Sequence, residues 1–365
     1  MGSELILSSE LNSSGELFEL RCRIFFSTFC VSLMLRMGVL GVGHLGSIHA
    51  RLWTSQPRAT LVGVYDTDMN KANAKAQELG VACFADVKSC LDACDAVTIA
   101  VPTVYHEQVA LQCIEASKHC LIEKPLAHSV SAAELIIKVA TERGVKIQVG
   151  HVERFNSALR AAMSFGLNPR FIEAHRLSQF RTRATDVSVI HDLMIHDIDI
   201  VLSMVQSPVT RVIANGVSVL TDTIDMVHAR IDFENGAVAN LSASRMSASP
   251  MRKMRIFQKG MYLSIDFAKP GLDVFRMFDS ESELMPPSGT LLPASMLGEI
   301  DAASDKLRIM YEQPNVEQRN AISDEQAAFV SSVLDNTPIA VTGGDALHAL
   351  RIASMIEEQI TATNT

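Results

Sequence analysis

A chain of 365 residues, 48% hydrophobic and 20% charged, exceeds the usual size of one domain and has ordinary globular composition, so two domains are expected. Its formal net charge of -9 argues against the broad basic surface through which proteins hold nucleic acid, so any anionic ligand must be met by local groups. The seven cysteines include no C-x-x-C pair, and Cys90 and Cys94 sit one helical turn apart, which fits a reducing, cytoplasmic compartment better than a disulfide framework.

Residues 1–36 read as an extension outside the fold. Arg21 and Arg23 followed by the apolar run Ile24 to Leu35 look like a signal peptide, but no small-residue cleavage site precedes Met37. The run is also far shorter than the roughly 20 residues of a membrane span. The simplest reading is dispensable upstream sequence ahead of a start at Met34 or Met37.

From Met37 to Gly150, β-branched runs alternate with helical stretches: MGVLGV, TLVGVYD, AVTIAVP and CLIEKP, each followed by a helical segment, and then KIQVG. Such alternation predicts right-handed βαβ units and a doubly wound parallel sheet over residues 37–150. After Gly150, alternating runs Met226 to Phe233 and Ala237 to Arg245, joined by Glu234-Asn235-Gly236, announce a hairpin. Residues 151–365 are therefore expected to form an α+β domain on a largely antiparallel open sheet, with a helix near Val187 to Met204 and two more between Ser323 and Ile360. Residues 281–304, with Pro286, Pro287, Gly289 and Pro293, read as a long loop.

Gly41-Val42-Gly43-His44-Leu45-Gly46 is a G-x-G-x-x-G set directly after the first strand and opening a helix. In that context the first glycine permits the turn, the second admits a pyrophosphate to the backbone and the third lets helix pack on strand. Asp66 ends the second strand about 20 residues on, where a carboxylate bonds ribose hydroxyls and repels a 2'-phosphate. Thr67 and Asp68 follow without a neighbouring Arg, so NAD is expected rather than NADP.

With Leu121-Ile122-Glu123-Lys124-Pro125 added to these glycines, the chain from Met37 onward resembles the Gfo/Idh/MocA oxidoreductase family. Further matching parts are Pro102-Thr103 with His106, Gly150-His151, and Asp192 with His196. The resemblance implies that Lys124 reaches both nicotinamide and substrate hydroxyl, that Pro125 follows a cis peptide, and that Pro102, Thr103, His106 and Glu123 belong to the cofactor pocket. It also implies that His196 is the base and Asp192 its partner or a substrate-orienting group; helical spacing puts Asp192, His196 and Asp199 on one face. Neutral imidazole is a suitable proton acceptor near pH 7.

His191, Asp192, His196 and Asp197 crowd one stretch, but His191 and His196 stand nearly half a turn apart in angle, so no metal is expected. The family often carries glycines before Asp-x-x-x-His, where this chain has Asp186-Val187-Ser188-Val189-Ile190-His191. Together with Gly150-His151-Val152-Glu153-Arg154-Phe155-Asn156, that string resembles the subgroup of UDP-N-acetylglucosamine 3-dehydrogenases of lipid A synthesis.

The expected chemistry is oxidation of a sugar hydroxyl, proton to His196 and hydride to NAD, with Lys124 steadying the alkoxide. Arg154, Arg176, Arg181 and Arg183 form a basic group suited to a diphosphate, and His151, Arg154, Arg181, Asp192 and His196 are the candidate substrate contacts. Alternatives from other classes are a dehydrogenase of free sugar or inositol, an NAD-dependent glycosidase, and a non-catalytic dinucleotide-sensing regulator. A small-molecule substrate and a homodimer or homotetramer are the expected partners, without nucleic acid or membrane.

Overall fold

The computed structural model describes residues 34–180, 187–278, 295–301 and 306–364. Six strands form the first sheet: β1 (Leu35–Leu40), β2 (Ala59–Tyr65), β3 (Ala82–Cys83), β4 (Ala96–Ile99), β5 (His119–Glu123) and β6 (Ile147–Gly150). All pair in parallel, in the order β3-β2-β1-β4-β5-β6. This is the dinucleotide-binding order, whose ligand crevice opens at the carboxyl ends of β1 and β4, where the winding reverses. The intervening helices are α1 (His44–Trp53), α2 (Met69–Leu79), α3 (Val87–Ala93), α4 (His106–Glu115) and α5 (Val130–Arg143).

Local chemistry explains their ends. The Asp68 carboxylate accepts from the backbone N–H of Asn70 and Lys71 to start α2, and Asp86 accepts from Ser89 N in a capping box at α3. Gly80 and Gly144 close α2 and α5 with φ of +66° and +64°, a left-handed conformation glycine adopts without steric cost.

The strand β1 begins at Leu35, two residues before Met37, and Leu35 is buried beside Met37 and Val39. The expected boundary at residue 36 therefore cuts a strand, and only a start at Met34 leaves that strand whole.

The second sheet has nine strands in the order β14-β15-β13-β12-β11-β7-β10-β9-β8. Its centre is β7 (Phe171–Leu177), β10 (Val238–Ser244), β11 (Met251–Gln258) and β12 (Met261–Asp266); β8 (Val209–Val217) and β9 (Met226–Phe233) form one side. The other side is β13 (Gly271–Phe278), β14 (Ser295–Asp301) and β15 (Lys306–Glu312). Among the described residues only β7 with β10 is parallel, so the sheet is mixed and largely antiparallel. The hairpin falls at Glu234–Gly236, with Gly236 at φ +80°. Part of the expected loop at 281–304 is instead strand: Ser295–Asp301 pairs with β15, and ladder pairing supplies the order that the proline-rich composition hides. Residues 281–294 and 302–304 of that loop lie outside the described residues.

One face of this sheet is covered by α6 (Ser157–Met163), α7 (Ile195–Val205) and α9 (Gly343–Asn364), through Leu159, Ile198, Val201, Ile352 and Ile356 against Ile172, Leu241 and Ile256. The helix α8 (Ala321–Asp335), although late in the chain, packs elsewhere. Its Phe329 and Val330 join Met37, Trp53 and Leu61 in the core of the first sheet. Val341 between α8 and α9 accepts a hydrogen bond from Val149 of β6. By packing, then, residues 321–341 serve the first layer, contrary to a plain division at residue 150.

Candidate active site

The glycine loop has the shape its sequence promises. Gly41 sits at φ +88°, and a Cβ there would lie 2.7 Å from the Ala100 carbonyl oxygen. A Cβ on Gly46 would overlap the Gly41 carbonyl oxygen at 1.9 Å, so only glycine lets α1 approach β1 this closely. Gly43 faces open space, and α1 starts there with no side chain capping it. With His44 and Leu45 exposed in the first turn, free amide N–H groups present themselves to an anion. The Asp66 carboxylate accepts from Val42 N at 2.8 Å and Asp68 N at 2.9 Å, tying the end of β2 to this loop. An open cradle beside a fixed carboxylate fits the pyrophosphate and ribose of a dinucleotide.

The wall across from it comes from β4 and β5. Pro102 is exposed and Thr103 half-buried in the turn after β4. His106 is fully enclosed rather than lining the crevice, its Nδ1 2.9 Å from the Pro125 carbonyl and its Nε2 3.0 Å from that of Val101. Burial pushes its pKa down although both carbonyls favour the cation. It braces the wall.

After β5 the peptide Lys124-Pro125 is cis, as the family resemblance implied. The Glu123 carboxylate takes the His49 Nε2–H at 2.8 Å and the Lys124 backbone N–H at 3.2 Å. Burial would raise its pKa, yet His49 and the Lys124 charge outweigh that and hold it below the usual value. His49 was missed in the sequence. It shares the buried face of α1 with Gly46, Ala50 and Trp53, and a histidine on so apolar a stripe was the available signal. Gln326 of α8 donates to the His49 carbonyl and to His49 Nδ1, which leaves the proton on Nε2 for Glu123.

Lys124 Nζ donates to the Asp192 backbone carbonyl at 2.7 Å and approaches Asp192 Oδ1 at 3.5 Å. Asp192 stands in a π-helical turn, Ile190–Met194, that leads straight into α7, a widening often found at functional sites. One turn on is His196, whose Nδ1 is sealed from solvent and unpartnered. Burial, then the Lys124 and Arg176 charges, push its pKa well below the ordinary histidine value, so it is neutral at pH 7. Lys124 and His196 are thus brought to one place from two domains.

The expected arginine cluster for a diphosphate does not form from the arginines that are described. Arg154 forks onto Asp199 at 2.6 and 2.7 Å, and Arg176 is buried with Asp197 at 2.8 and 3.0 Å and Glu153 at 2.8 Å. Unpaired acids buried at these positions would be costly, so both arginines serve as internal counter-ions. Arg181 and Arg183 lie outside the described residues. His151, expected to touch substrate, is 1% exposed and stands behind His196, ring to ring at 6.5 Å and nearly perpendicular. Of the groups weighed for a metal, His191 pairs instead with Glu357 at 3.0 Å and Asp197 with Arg176.

Two family models match this chain, an NAD-binding Rossmann-fold oxidoreductase domain over residues 35–151 and the Gfo/Idh/MocA C-terminal domain over residues 149–262. The chain belongs to the Gfo/Idh/MocA oxidoreductase family. It is an NAD-binding oxidoreductase. A UDP-N-acetylglucosamine 3-dehydrogenase of Acidithiobacillus ferrooxidans is 40% identical over 242 residues, 66% of this chain and 77% of that protein. A solved structure of that enzyme superposes with a TM-score of 0.80 at 32% identity, covering 91% of this chain and 99% of the other. A scyllo-inositol 2-dehydrogenase of Bacillus subtilis is 31% identical over 58% of this chain and 68% of its own length.

Proposed function

We propose that this oxidoreductase converts the 3-hydroxyl of a nucleotide-linked N-acetylhexosamine, UDP-N-acetylglucosamine, to a ketone in amino-sugar and lipid A synthesis. The observation that carries the chemistry is the convergence of Lys124, from the turn after β5, with the neutral His196 on α7: Lys124 donates to Asp192 one turn before His196, and its charge helps keep that imidazole neutral. A fixed cation beside a neutral imidazole suits a secondary alcohol: the imidazole takes the hydroxyl proton while the ammonium steadies the charge left on oxygen. Bound NAD supplies the hydride acceptor. General-base help of this kind contributes about 10² to 10⁴ in rate, and holding the reactants together adds to it. The choice of sugar is supported by the likeness to the Acidithiobacillus enzyme, with the other dehydrogenase relative pointing to cyclic polyols.

Alcohol oxidation by NAD is uphill near neutral pH, so the test couples the reaction to a keto-sugar aminotransferase with glutamate. UDP-N-acetylglucosamine should be turned over with higher kcat/KM than free N-acetylglucosamine, glucose or inositol. A free sugar or inositol preferred over the nucleotide sugar would overturn the substrate and leave the dehydrogenase reading standing.

Among the described residues no helix is long and apolar enough to cross a membrane, and the reading places the enzyme in the cytoplasm as a homo-oligomer. Support for a second copy comes from the sheet face turned away from Ile172, Ile256, Leu263 and Val274. There Phe171, Phe257, Tyr262, Phe275 and Tyr311 run as a ladder with ring centroids 5.9, 4.7, 5.2 and 4.8 Å apart. Light scattering should give a multiple of the 39.8 kDa chain mass; a monomer at micromolar concentration would remove this part of the reading.

A further inference from the structure

Three nitrogens of the His151 and His196 pair are buried without a hydrogen-bond partner: both of His151 and Nδ1 of His196. Orphaned buried polar atoms are rare because each loses its hydration without return, so a cluster of three in one small space calls for a physical account. The rings meet edge to face with centroids 6.5 Å apart, too far for a direct bond and close enough for one bridging molecule of water. A buried water is stable where at least two polar groups converge on it, and Nδ1 of His196 with one ring nitrogen of His151 supply that pair, the second nitrogen of His151 pointing away. Beyond His151 stands Asp199 of α7, equally buried, with Oδ2 3.9 Å from His151 Nδ1. Asp199 in turn is gripped by Arg154 through both oxygens.

We propose that His151 is a proton-relay residue, joined to His196 by one buried water and held ready by Asp199. The inference rests on His196 being the base of the proposed reaction. When Nε2 of His196 takes the hydroxyl proton, its Nδ1–H passes to the water, and a proton of the water passes to His151. His196 returns to neutrality and His151 becomes an imidazolium beside Asp199, so one proton enters and one proton is carried inward. Charge placement favours that direction. His196 faces the Lys124, Arg176 and Arg252 cations, which oppose a positive charge there. Burial lowers the pKa of His151 too, but the Asp199 and Glu123 carboxylates oppose that while Arg154 and Lys124 add to it, so the charges around it are the more balanced of the two.

The relay requires neutral His196 to carry its hydrogen on Nδ1, leaving Nε2 free as base. The ¹H–¹⁵N two-bond spectrum of the NAD complex, with no sugar present, reads this tautomer directly. Wild type should show the Nδ1–H form, and His151→Phe should shift the population toward Nε2–H, the acceptor having gone; His151→Gln, whose amide oxygen still accepts, should keep the Nδ1–H form. An Nε2–H tautomer in wild type, or no change in His151→Phe, overturns the relay. In turnover, His151→Phe should lower kcat at least tenfold with KM and NAD affinity within twofold, and a curved proton inventory should become linear. A fall in NAD affinity matching the fall in rate would mean that His151 is only structural. Because the tautomer is read without substrate, failure of the sugar assignment leaves this test intact.

Discussion

Lys124 and His196 make no contact with the glycine loop among the hydrogen bonds of the described residues, whereas Asp66 does. If the proposed proton handling by these two groups holds, removing either should separate rate from cofactor affinity: Lys124→Ala and His196→Ala are expected to cut turnover about 10²-fold or more with NAD affinity nearly unchanged. Near-normal turnover in either variant would remove that residue from the mechanism. Asp66 belongs to the other side of the division. Calorimetry should find NAD bound at least tenfold more tightly than NADP, about 1.4 kcal/mol, and equal affinities would free Asp66 from its assigned role. Legibility followed the same division. The positions of the glycines, Asp66 and Lys124 at the strand ends were readable because backbone approach and charge dictate residue type at fixed spacing. The pairings of Arg154 and Arg176 were not, since acids 45 and 21 residues away, Asp199 and Asp197, claim them only after the fold closes.

At the scale of elements, α8 carries a feature that sequence could not announce. Glu325 on its first turns is fully buried, and neither carboxylate oxygen has a hydrogen-bond partner. Burial, reinforced by the Glu123 charge, raises its pKa well above the ordinary value, so the folded protein holds this proton to higher pH than the unfolded chain does. Below pH 4.5 both folded and unfolded chains hold that proton and there is no penalty. As pH rises past that value the unfolded chain releases its proton while the folded one retains it, so stability falls with pH up to the folded pKa. Glu325→Gln, neutral at all pH, should therefore raise Tm at pH 8 by about 1–2 °C for each kcal/mol relieved, with the gain vanishing near pH 4. A gain independent of pH in scanning calorimetry would refute this account. The helix itself was visible as periodicity, but its docking was not, because periodicity tells which face is apolar and not which sheet receives it.

For the whole molecule, the strand at Leu35 sets where a shortened chain can begin. A chain starting at Met34 should bind NAD as the full chain does. One starting at Met37 loses a buried leucine worth about 1.5–3 kcal/mol and the Arg36 pairing with Asp95, and should melt lower. Equal melting curves would show that β1 tolerates the cut. The two-sheet architecture was readable from the switch in alternation at Gly150, and the mixed sheet's one parallel pair, β7 with β10, was not, since it joins segments some 67 residues apart in register.

The return of α8 to the first sheet also bears on how this protein is made. A ribosome delivers residues 35–150 long before Phe329 and Val330 leave the exit tunnel, so the nascent nucleotide-binding layer waits with one side of Trp53 and Met37 uncovered. Its core closes only when almost the whole chain is out, and a message truncated before codon 321 should yield an insoluble product even though every glycine of the loop has been translated.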